Sequence, residues 1–499
     1  MDSGIQEFFK NKTIFITGGT GFLGKVITEK LLRTTEVNRI YSLIRPKRGK
    51  PIQERISTWE KDPVFEVLLR AKPDALQRVC PIAGDCLDPD LGISESDRRL
   101  LATEVQVVIH GAATVRFDEA LHLSLAINVR ATRLMLQLAK QMTRLVSYVH
   151  VSTAYSNCVV TDIAERFYPE HLECSSDQIL ALGELMSDEM LDKMSPALVG
   201  SFPNTYTYTK ALAEDVILRE ADDLPLCIFR PAIIMSTYKE PLRGWVDNLF
   251  GPLALCFGGA RGIMRVTTVD PKAKISIVPA DFCVNVALAC AWKTAQSSGH
   301  KQKANKPPIY TFAPSENNLL TYGDFIRSSV AYRDIIPLTK MLWYPFVLCI
   351  STTSLFPLAA FFFHTLPGYF IDLLLRLKGR KPILVDLYRK IHKNIAVLGP
   401  FSTTTWHFDM ANTMALRDSM TKQDLSVYDF DMSRLDWDDF FKSAMYGMRL
   451  YIGKELPTAE SIAKGLKLRL RLKILHYAFT SSLVSAAGFV LWSLAKLVV

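Results

Sequence analysis

Residues 13–24 read Thr-Ile-Phe-Ile-Thr-Gly-Gly-Thr-Gly-Phe-Leu-Gly, and this stretch decides the fold. The apolar run 14–16 predicts a buried strand, and Gly18, Gly21 and Gly24 follow it with GxxGxxG spacing. Residues 25–32 then place apolar side chains at helical intervals. A strand, a glycine turn and a helix start form the context of a dinucleotide-binding loop.

Each glycine has a distinct expected task at this turn. Gly18 permits the tight turn, Gly21 lets the backbone approach a pyrophosphate, and Gly24 lets the helix pack against the strand. The helix start then offers unpaired N–H groups and a positive dipole end to the phosphates. We therefore expect the dinucleotide to lie against the following residues: Gly18, Thr20, Gly21, Phe22, Leu23 and Gly24.

The length, composition and net charge of the chain limit the kinds of protein it can be. A chain of 499 residues predicts two or more domains, and 49% of its residues are hydrophobic. The net charge is +9, but the basic residues form no stripe interleaved with aromatics, which argues against nucleic acid. Much of the basic excess lies beside apolar segments, which favours a membrane surface or anionic ligands. The nine cysteines contain no CxxC pair, so we expect reduced thiols and no metal site.

The second predicted strand, 39–44, decides the choice of dinucleotide. An NAD-selective site places an Asp or Glu at its end to hold the ribose 2′-hydroxyl. Here the chain has Arg45, Lys47 and Arg48 instead, and cations suit a 2′-phosphate. The sequence therefore favours NADPH, the alternative being that these cations only lie on a solvated loop.

The next strands supply further candidate contacts. A strand at 79–82 ends at Asp85, which we expect at the adenine edge, and a strand at 105–110 runs into Ala112, which we expect against the dinucleotide. A helical pattern from 118 to 142 carries Asn128. Asn128 either holds a water or a catalytic lysine beside the active site, or is a packed polar residue, and both interpretations stay open.

Candidate catalytic residues follow in two places. A strand at 145–151 delivers Ser152 and Thr153 at its carboxyl end, where open α/β sheets place their chemistry. Tyr206 and Lys210 are four residues apart and share a helix face, a spacing that Tyr208 does not have. An ammonium near a tyrosine is expected to lower the tyrosine pKa, so that it exchanges a proton with a carbonyl oxygen.

These motifs together resemble the extended short-chain dehydrogenase/reductases. The closer resemblance is to the alcohol-forming fatty acyl-CoA reductases. It rests on the opening turn and on residues 150–157, 206–214 and 229–234. Residues 370–455 resemble the male-sterility C-terminal domain of that family, with landmarks at 385–392 and 435–441. The resemblance covers nearly the whole chain.

The resemblance implies an α/β fold: a Rossmann-like doubly wound parallel sheet with a substrate cap, a mostly helical C-terminal domain and a C-terminal transmembrane helix. It also implies that NADPH reduces a long-chain acyl-CoA twice, giving a primary alcohol and CoA. In that reaction Thr153, in preference to Ser152, and Tyr206 hydrogen-bond the carbonyl oxygen, and Tyr206 protonates the aldehyde oxygen. Lys210 binds the nicotinamide ribose. The alternatives are a sterol or nucleotide-sugar dehydrogenase/epimerase of the same superfamily, and a cofactor-binding scaffold without catalysis.

We expect a reductase domain at 1–335, an apolar segment at 336–372, a male-sterility-type domain at 373–460 and an anchor at 474–496. The cap should lie within 231–335, and Asp281 is expected to cap a helix there. Three arginines in the cap either meet CoA phosphates or lie on solvated surface: Arg243, Arg261 and Arg265.

Two apolar segments indicate a membrane. Residues 341–371 contain no Asp, Glu, Lys or Arg, and three prolines interrupt them. This predicts a re-entrant or surface-embedded hairpin, or a buried helix pair over an acyl tunnel. Residues 474–495 are long enough to span a bilayer and follow a basic stretch, so the preceding domains should be cytosolic. An amphipathic interfacial helix is the alternative. We expect the endoplasmic reticulum membrane, with the peroxisome second, and a homo-oligomer stays open.

Overall fold

The chain folds into two compact units, each built from three stretches of sequence. The computed structural model describes residues 3–46, 51–221, 224–297 and 306–498. Unit 1 comprises Met1–Trp245, Ser276–Leu319 and Thr405–Leu435, and unit 2 comprises Val246–Ile275, Leu320–Thr404 and Asp436–Val499.

The described strands are β1 (Thr13–Thr17), β2 (Arg39–Ile44), β3 (Val79–Ala83), β4 (Val107–His110), β5 (Ser147–Val151), β6 (Asp162–Ile163), β7 (Leu226–Pro231), β8 (Ile233–Met235), β9 (Val266–Thr268), β10 (Lys274–Ile275), β11 (Ile277–Pro279), β12 (Ile309–Phe312), β13 (Leu320–Thr321), β14 (Leu348–Ile350) and β15 (His407–Phe408).

The described α-helices are α1 (Gly4–Phe9), α2 (Phe22–Thr34), α3 (Ile52–Ser57), α4 (Glu66–Ala71), α5 (Glu95–Glu104), α6 (Leu121–Ser124), α7 (Ala131–Gln141), α8 (Ser176–Leu185), α9 (Asp188–Lys193), α10 (Ser195–Val199), α11 (Thr205–Glu220), α12 (Gly251–Ala260), α13 (Ala280–Ser297), α14 (Tyr322–Ile335), α15 (Phe356–Ala360), α16 (Leu366–Leu377), α17 (Leu384–Thr403), α18 (Ala411–Asp418), α19 (Lys422–Tyr428), α20 (Trp437–Gly447) and α21 (Ala459–Val498).

Unit 1 is built on a seven-stranded parallel sheet in the order β3-β2-β1-β4-β5-β7-β12. The order reverses between β1 and β4, where Thr17 pairs with His110. Open α/β sheets bind ligands at the carboxyl ends of the strands at such a switch point. The glycine turn follows β1 and Gly111 follows β4, so both predicted cofactor segments reach this point. The predicted doubly wound parallel sheet is confirmed.

Helices cover both faces of this sheet, which is why its strands are almost entirely buried. Phe15, Val108, Tyr148 and Ile228 form one buried cluster with residues of α7 and α11. On the other face, α13 packs against β5, β7 and α2. The predicted helix at 118–142 begins at Leu121 and contains a π-helical stretch, Leu125–Arg130, before α7.

Unit 2 is mostly helical, as predicted for the C-terminal region. Its strands form only two small pairs, β9 with β14 in parallel and β10 with β13 antiparallel. Helix α14 packs against α20, and α16 packs against α17.

The apolar segment contains one helical run, Thr353–Leu377, rather than the predicted hairpin or helix pair. The run joins a 3₁₀ turn, α15, the π-helical stretch Phe361–Thr365 and α16. Pro357 and Pro367 lie in the first turns of α15 and α16, so the run continues past two residues that have no N–H to donate. Among the described residues, this helix is long and apolar enough to cross a membrane. The predicted anchor at 474–496 is helical within α21, and its membrane crossing stays a prediction.

Candidate active site

The glycine turn has the geometry that a dinucleotide pyrophosphate requires. Gly18 has φ +75°, and a Cβ there would lie 2.8 Å from the backbone nitrogen of Ala112. A Cβ on Gly24 would lie 2.3 Å from the carbonyl oxygen of Gly18, so α2 packs directly on the turn. Helix α2 begins at Phe22, and no side chain caps it at Gly21. Its first N–H groups are therefore available to phosphate oxygens, which supports the fit of this turn to a dinucleotide.

The loop after β2 brings a further arginine to the turn, one that the sequence reading missed. Arg55, on α3, donates to Thr20 Oγ1 at 3.2 Å and to the Arg45 carbonyl at 3.2 Å. Burial and the nearby Arg45 charge lower the pKa of Arg55. Arg45 itself lies 3.8 Å from Asp85, at the ends of adjacent strands. Lys47 and Arg48 lie outside the described residues. The available signal for Arg55 was its place in the helix directly after the basic loop.

The structure brings Thr153, Tyr206 and Lys210 together at the carboxyl end of β5. Asn204 caps α11 by accepting from the Thr207 N–H at 2.9 Å, which puts Tyr206 in the first turn. The Thr153 hydroxyl lies close enough to the Tyr206 hydroxyl to lower its pKa. One turn later, Lys210 Nζ donates to the Val151 carbonyl at 2.9 Å. The Tyr206 ring stacks on Phe117 with centroids 5.4 Å apart.

The expected lowering of the Tyr206 pKa is wrong for this arrangement. Burial raises the pKa of Tyr206 to about 12, and the hydrogen bond with Thr153 opposes the rise. The Tyr206 side chain as a whole is half-buried. Burial lowers the pKa of the Lys210 ammonium to about 8, opposed by the charge of Glu214. Lys210 is directed to the strand end, so its charge does not offset the desolvation of the Tyr206 hydroxyl. The Tyr206 hydroxyl is therefore neutral at neutral pH.

Ser152, adjacent to Thr153, belongs to a different network. Its hydroxyl donates to Glu214 Oε1 at 2.5 Å, and Glu214 also accepts from Arg230 at 2.6 and 2.9 Å. The Asn157 amide donates to the other oxygen of Glu214 at 3.4 Å. The Arg230 and Glu214 side chains are 0% and 3% exposed, so this is a buried ion pair. This pair was not predicted from the sequence, although each of its two residues is a charge among apolar neighbours.

Asn128 is a packed polar residue that fixes the loop after β4. Its Oδ1 accepts from the Thr114 N–H at 3.0 Å, and its Nδ2 donates to Thr209 Oγ1 at 3.0 Å. Thr209 lies on α11 between Tyr206 and Lys210. Asn128 thus joins the loop to the helix that carries the candidate catalytic pair.

Two buried histidines lie beneath Lys210, and neither was singled out from the sequence. His110 Nδ1 lies 2.6 Å from Thr17 Oγ1 and its Nε2 lies 3.3 Å from Thr132 Oγ1. Thr132 donates its own hydrogen to the Asn128 carbonyl, so His110 carries its hydrogen on Nε2. Burial, and secondarily the Lys210 charge, lower the pKa of His110 to about 3 and that of His150 well below its ordinary value. Both rings are therefore neutral, and the His110 bonds link β1 to α7.

Two residues of the predicted cap have structural contacts. Asp281, in the first turn of α13, accepts from the N–H groups of Tyr238, Lys239 and Glu240 at 2.8, 2.8 and 3.2 Å. In unit 2, Arg265 is buried and donates to the carbonyls of Gly262 and Phe363, both at 3.1 Å. Arg265 is therefore neither solvated surface nor an accessible phosphate ligand.

Comparisons with known proteins show which family this chain belongs to. Two families, both described as male sterility protein, match residues 16–287 and 363–455. The chain is 40% identical to fatty acyl-CoA reductase wat of Drosophila melanogaster, covering 99% of this chain and 94% of that protein. It is 34% identical to fatty acyl-CoA reductase 2 of Bos taurus, covering 96% and 92%. The chain belongs to the fatty acyl-CoA reductase family.

Members of this family are oxidoreductases, and solved structures agree on the fold of this one. The terminal R domain of the myxalamid PKS-NRPS pathway has a TM-score of 0.57 and 18% identity, covering 90% of this chain and 93% of that one. The reductase domain of a nonribosomal peptide synthetase from Mycobacterium tuberculosis has a TM-score of 0.56 and 17% identity, covering 91% and 93%. At these identities the likeness concerns the fold alone. Together with the glycine turn, the family assignment establishes a nicotinamide dinucleotide as the cofactor class.

Proposed function

We propose that this fatty acyl-CoA reductase converts a long-chain acyl-CoA into a primary alcohol and CoA in two reductions. The observation that carries the proposal is the grouping of Thr153, Tyr206 and Lys210 at the switch-point end of the sheet. The family relatives named as fatty acyl-CoA reductases support the substrate class.

NADPH, when bound, supplies the hydride for each reduction. Its pyrophosphate would lie against the start of α2, where the N–H groups are uncapped. Arg45 and Arg55 would hold the 2′-phosphate, since Arg55 donates to Thr20 of the glycine turn and to the Arg45 carbonyl, and no acid ends β2. Asp85 and Ala112 would border the adenine and the nicotinamide half.

The chain's own hydroxyls then handle the oxygen of the substrate. Thr153 and Tyr206 would donate hydrogen bonds to the thioester carbonyl oxygen, stabilising the negative charge that develops there. Once the carbonyl carbon has accepted the hydride, the hemithioacetal oxyanion re-forms its C=O bond as the C–S bond breaks, so that an aldehyde results and CoA leaves as the thiolate. In the second reduction Tyr206 would give its proton to the aldehyde oxygen. A pKa raised to about 12 keeps that proton in place until a stronger base, the developing alkoxide, requires it.

The reaction is tested on membranes from cells that express the wild type or Tyr206→Phe, supplied with palmitoyl-CoA or longer acyl-CoA and NADPH. Alcohol formation should fall about 10²- to 10⁴-fold in the variant, because the proton donor is lost. Tyr208→Phe is the matched control. Tyr208 lies on the same helix, is 0% exposed, and its hydroxyl has no hydrogen-bond partner among the described residues, so activity should persist. Aldehyde as the end product would change the proposed product. Failure to consume any acyl-CoA would refute the reaction and direct the search to sterols and nucleotide sugars.

The cofactor is tested with Arg45→Ala combined with Arg55→Ala. Losing charged contacts to a 2′-phosphate should raise the KM for NADPH about tenfold to a hundredfold and leave the KM for NADH nearly unchanged. Arg70→Ala, an exposed arginine paired with Glu66, serves as the control. Equal effects on both dinucleotides would count against 2′-phosphate recognition.

We propose that residues 474–496 of α21 anchor the protein in the endoplasmic reticulum membrane with the catalytic residues facing the cytosol. The basic residues before this stretch support that orientation. Microscopy with endoplasmic reticulum and peroxisome markers distinguishes the two organelles.

A further inference from the structure

The helical run Thr353–Leu377, called here the inside-out helix, buries the polar side chains of His364 and Asp372 and exposes most of its large apolar side chains. The residues buried along it recur every four positions: Ala360, His364, Gly368 and Asp372. The large apolar residues that it exposes are Leu355, Leu358, Phe361, Phe362, Leu366, Tyr369, Phe370, Leu373, Leu374 and Leu377, each at least 42% exposed. A helix on the surface of a water-soluble domain has the opposite arrangement.

Polar contacts within unit 2 hold this orientation. Asp372 accepts from the N–H groups of Ile383, Leu384 and Val385 at 2.9, 3.0 and 2.9 Å, which caps the start of α17. His364 Nε2 accepts from the Arg265 N–H at 2.9 Å. Rotating the helix to bury its apolar face would break these bonds and leave buried polar groups unpaired, so the apolar face stays outside.

The neighbouring helix runs back along the inside-out helix. His364 and His392 are hydrogen-bonded at 3.0 Å, and a Cβ on Gly368 would lie 3.1 Å from the Tyr388 ring. Together with the Asp372 contacts, this pairing makes α17 antiparallel to α16. The segment before the inside-out helix and the end of α17 both contact strand β9. Strand β14 pairs with β9, and Ser402 Oγ, near the end of α17, donates to the Thr268 carbonyl at 2.7 Å.

This topology excludes a membrane crossing by the inside-out helix. If the helix crossed, α17 would have to cross back beside it. Helix α17 exposes Asp386, Arg389 and Lys390, whose charges would then lie in hydrocarbon at a cost of several kcal/mol. A helix that lies along one surface places its apolar face in lipid and leaves α17 on the aqueous side.

The exposed cations near the end of the inside-out helix, and its contact with α21, indicate which kind of surface its apolar face meets. Arg376, Lys378, Arg380 and Lys381 are all exposed at the end of the helix and in the turn after it. Such clusters beside an apolar helix suit anionic headgroups. Within unit 2, Phe346 contacts both Phe363 and His476, with ring centroids 5.9 and 5.1 Å apart. The apolar part of α21 therefore begins beside the inside-out helix.

We propose that the inside-out helix lies in the plane of one leaflet of a bilayer that contains anionic lipids. Its exposed leucines and phenylalanines enter the acyl-chain region, and the four cations contact the headgroups. The reaction proposed above and this inference stand independently, because no step of the inference uses the catalytic residues.

The first test uses the full chain in nanodiscs of phosphatidylcholine and phosphatidylserine. A photo-crosslinking benzoylphenylalanine replaces Leu358 or Phe370, near the two ends of the exposed face, and lipid adducts are measured by mass spectrometry. Asn394, exposed on α17, is the matched control position. We expect lipid adducts at 358 and 370 and none at 394. Absence of adducts at 358 and 370, or equal yields at all three positions, would overturn the proposal.

The second test distinguishes a surface helix from a crossing helix. An epitope inserted after Gly379, where a Cβ would have no atom within 4 Å, is probed in sealed microsomes. We expect it to be accessible from the same side as an N-terminal tag. Accessibility only after the membrane is permeabilised would establish a crossing and refute the in-plane arrangement.

The third test addresses lipid charge. Replacing the four cations by glutamine (R376Q, K378Q, R380Q and K381Q together) should lower the adduct yield at 370 severalfold in nanodiscs with phosphatidylserine. The yield with phosphatidylcholine alone should change little, because the attraction depends on the anionic headgroup. An unchanged yield in both lipids would contradict recognition of anionic lipid.

Discussion

Helix α11 and the inside-out helix both bury polar side chains, but only the inside-out helix exposes a row of large apolar ones. Helix α11 buries polar side chains, including Lys210, Glu214 and Asp215, inside unit 1. The inside-out helix exposes its large apolar side chains, in unit 2. Buried polar groups are tolerable only when they are paired, whereas exposed apolar groups are tolerable only when something other than water covers them. The buried charges of α11 support the proposed catalytic role of this helix. The exposed apolar face of the inside-out helix supports its proposed contact with lipid.

The largest expected effect is on the stability of unit 1. Glu214→Ala leaves the Arg230 guanidinium buried without its partner and should lower the free energy of unfolding by roughly 3–5 kcal/mol, measured by denaturant titration in detergent. Glu189→Ala, which removes an exposed pair with Lys193, should cost less than about 1 kcal/mol. Similar losses of unfolding free energy in both variants would mean that the buried Glu214–Arg230 pair stabilises unit 1 no more than an exposed pair does.

The next effect separates the two adjacent hydroxyls at the end of β5. Thr153→Ala removes the partner of Tyr206 and should lower kcat/KM by about 10²- to 10³-fold. Ser152→Ala removes a bond to Glu214, so it should cost about 1–2 kcal/mol of stability while the folded enzyme keeps its kcat/KM within severalfold. Steady-state kinetics and unfolding measured on the same samples separate these outcomes. A larger rate loss in Ser152→Ala would reverse the assignment.

The pH profile tests the buried cation on α11. Lys210 has a pKa of about 8, so kcat/KM should fall about tenfold per pH unit above that value as the ammonium is lost. Between pH 8 and 10.5 the unfolded chain holds the Lys210 proton and the folded chain does not, so this residue makes stability rise with pH. The rate loss is therefore not unfolding. Lys210→Arg keeps its charge at high pH, so kcat/KM of this variant should not fall above pH 8. A fall that persists in Lys210→Arg would show that another group titrates.

A smaller effect is expected inside unit 2. Asp372→Ala removes the carboxylate that caps α17 and should lower the free energy of unfolding by about 1 kcal/mol, with Asp372→Asn costing less. Asp386→Ala, an exposed residue paired with Arg389, is the control. If Asp372→Ala were neutral, the inner face would not fix the orientation of the inside-out helix.

The smallest effect is expected on the outer face of that helix. Phe370 is 63% exposed, so Phe370→Gln should change the free energy of unfolding in detergent by less than about 0.5 kcal/mol. Leu212→Gln, at a 0% exposed position of α11, should cost more than about 2 kcal/mol because it buries an amide. A large loss in Phe370→Gln would show that protein covers this face.

The sequence by itself determined the sheet, the glycine turn and the Tyr206–Lys210 helix. These features are local: apolar runs of strand length, a fixed glycine spacing and residues one helical turn apart can each be recognised in a short window. The same local reasoning found the apolar segment at 341–371, although it predicted a hairpin or a buried helix pair, and the structure has one helical run, Thr353–Leu377.

Only the tertiary structure decided which groups meet. It paired Thr153 with Tyr206 and Ser152 with Glu214, brought Arg55 to the glycine turn, and raised the Tyr206 pKa where spacing had suggested a lower one. It also placed 405–435 in unit 1, where Tyr428 bonds Thr34. Hydrogen bonds and desolvation depend on neighbours far apart in sequence, so no local pattern reports them. The inside-out helix is the clearest case, because its composition reveals that it is apolar and only its packing reveals which face is left for lipid.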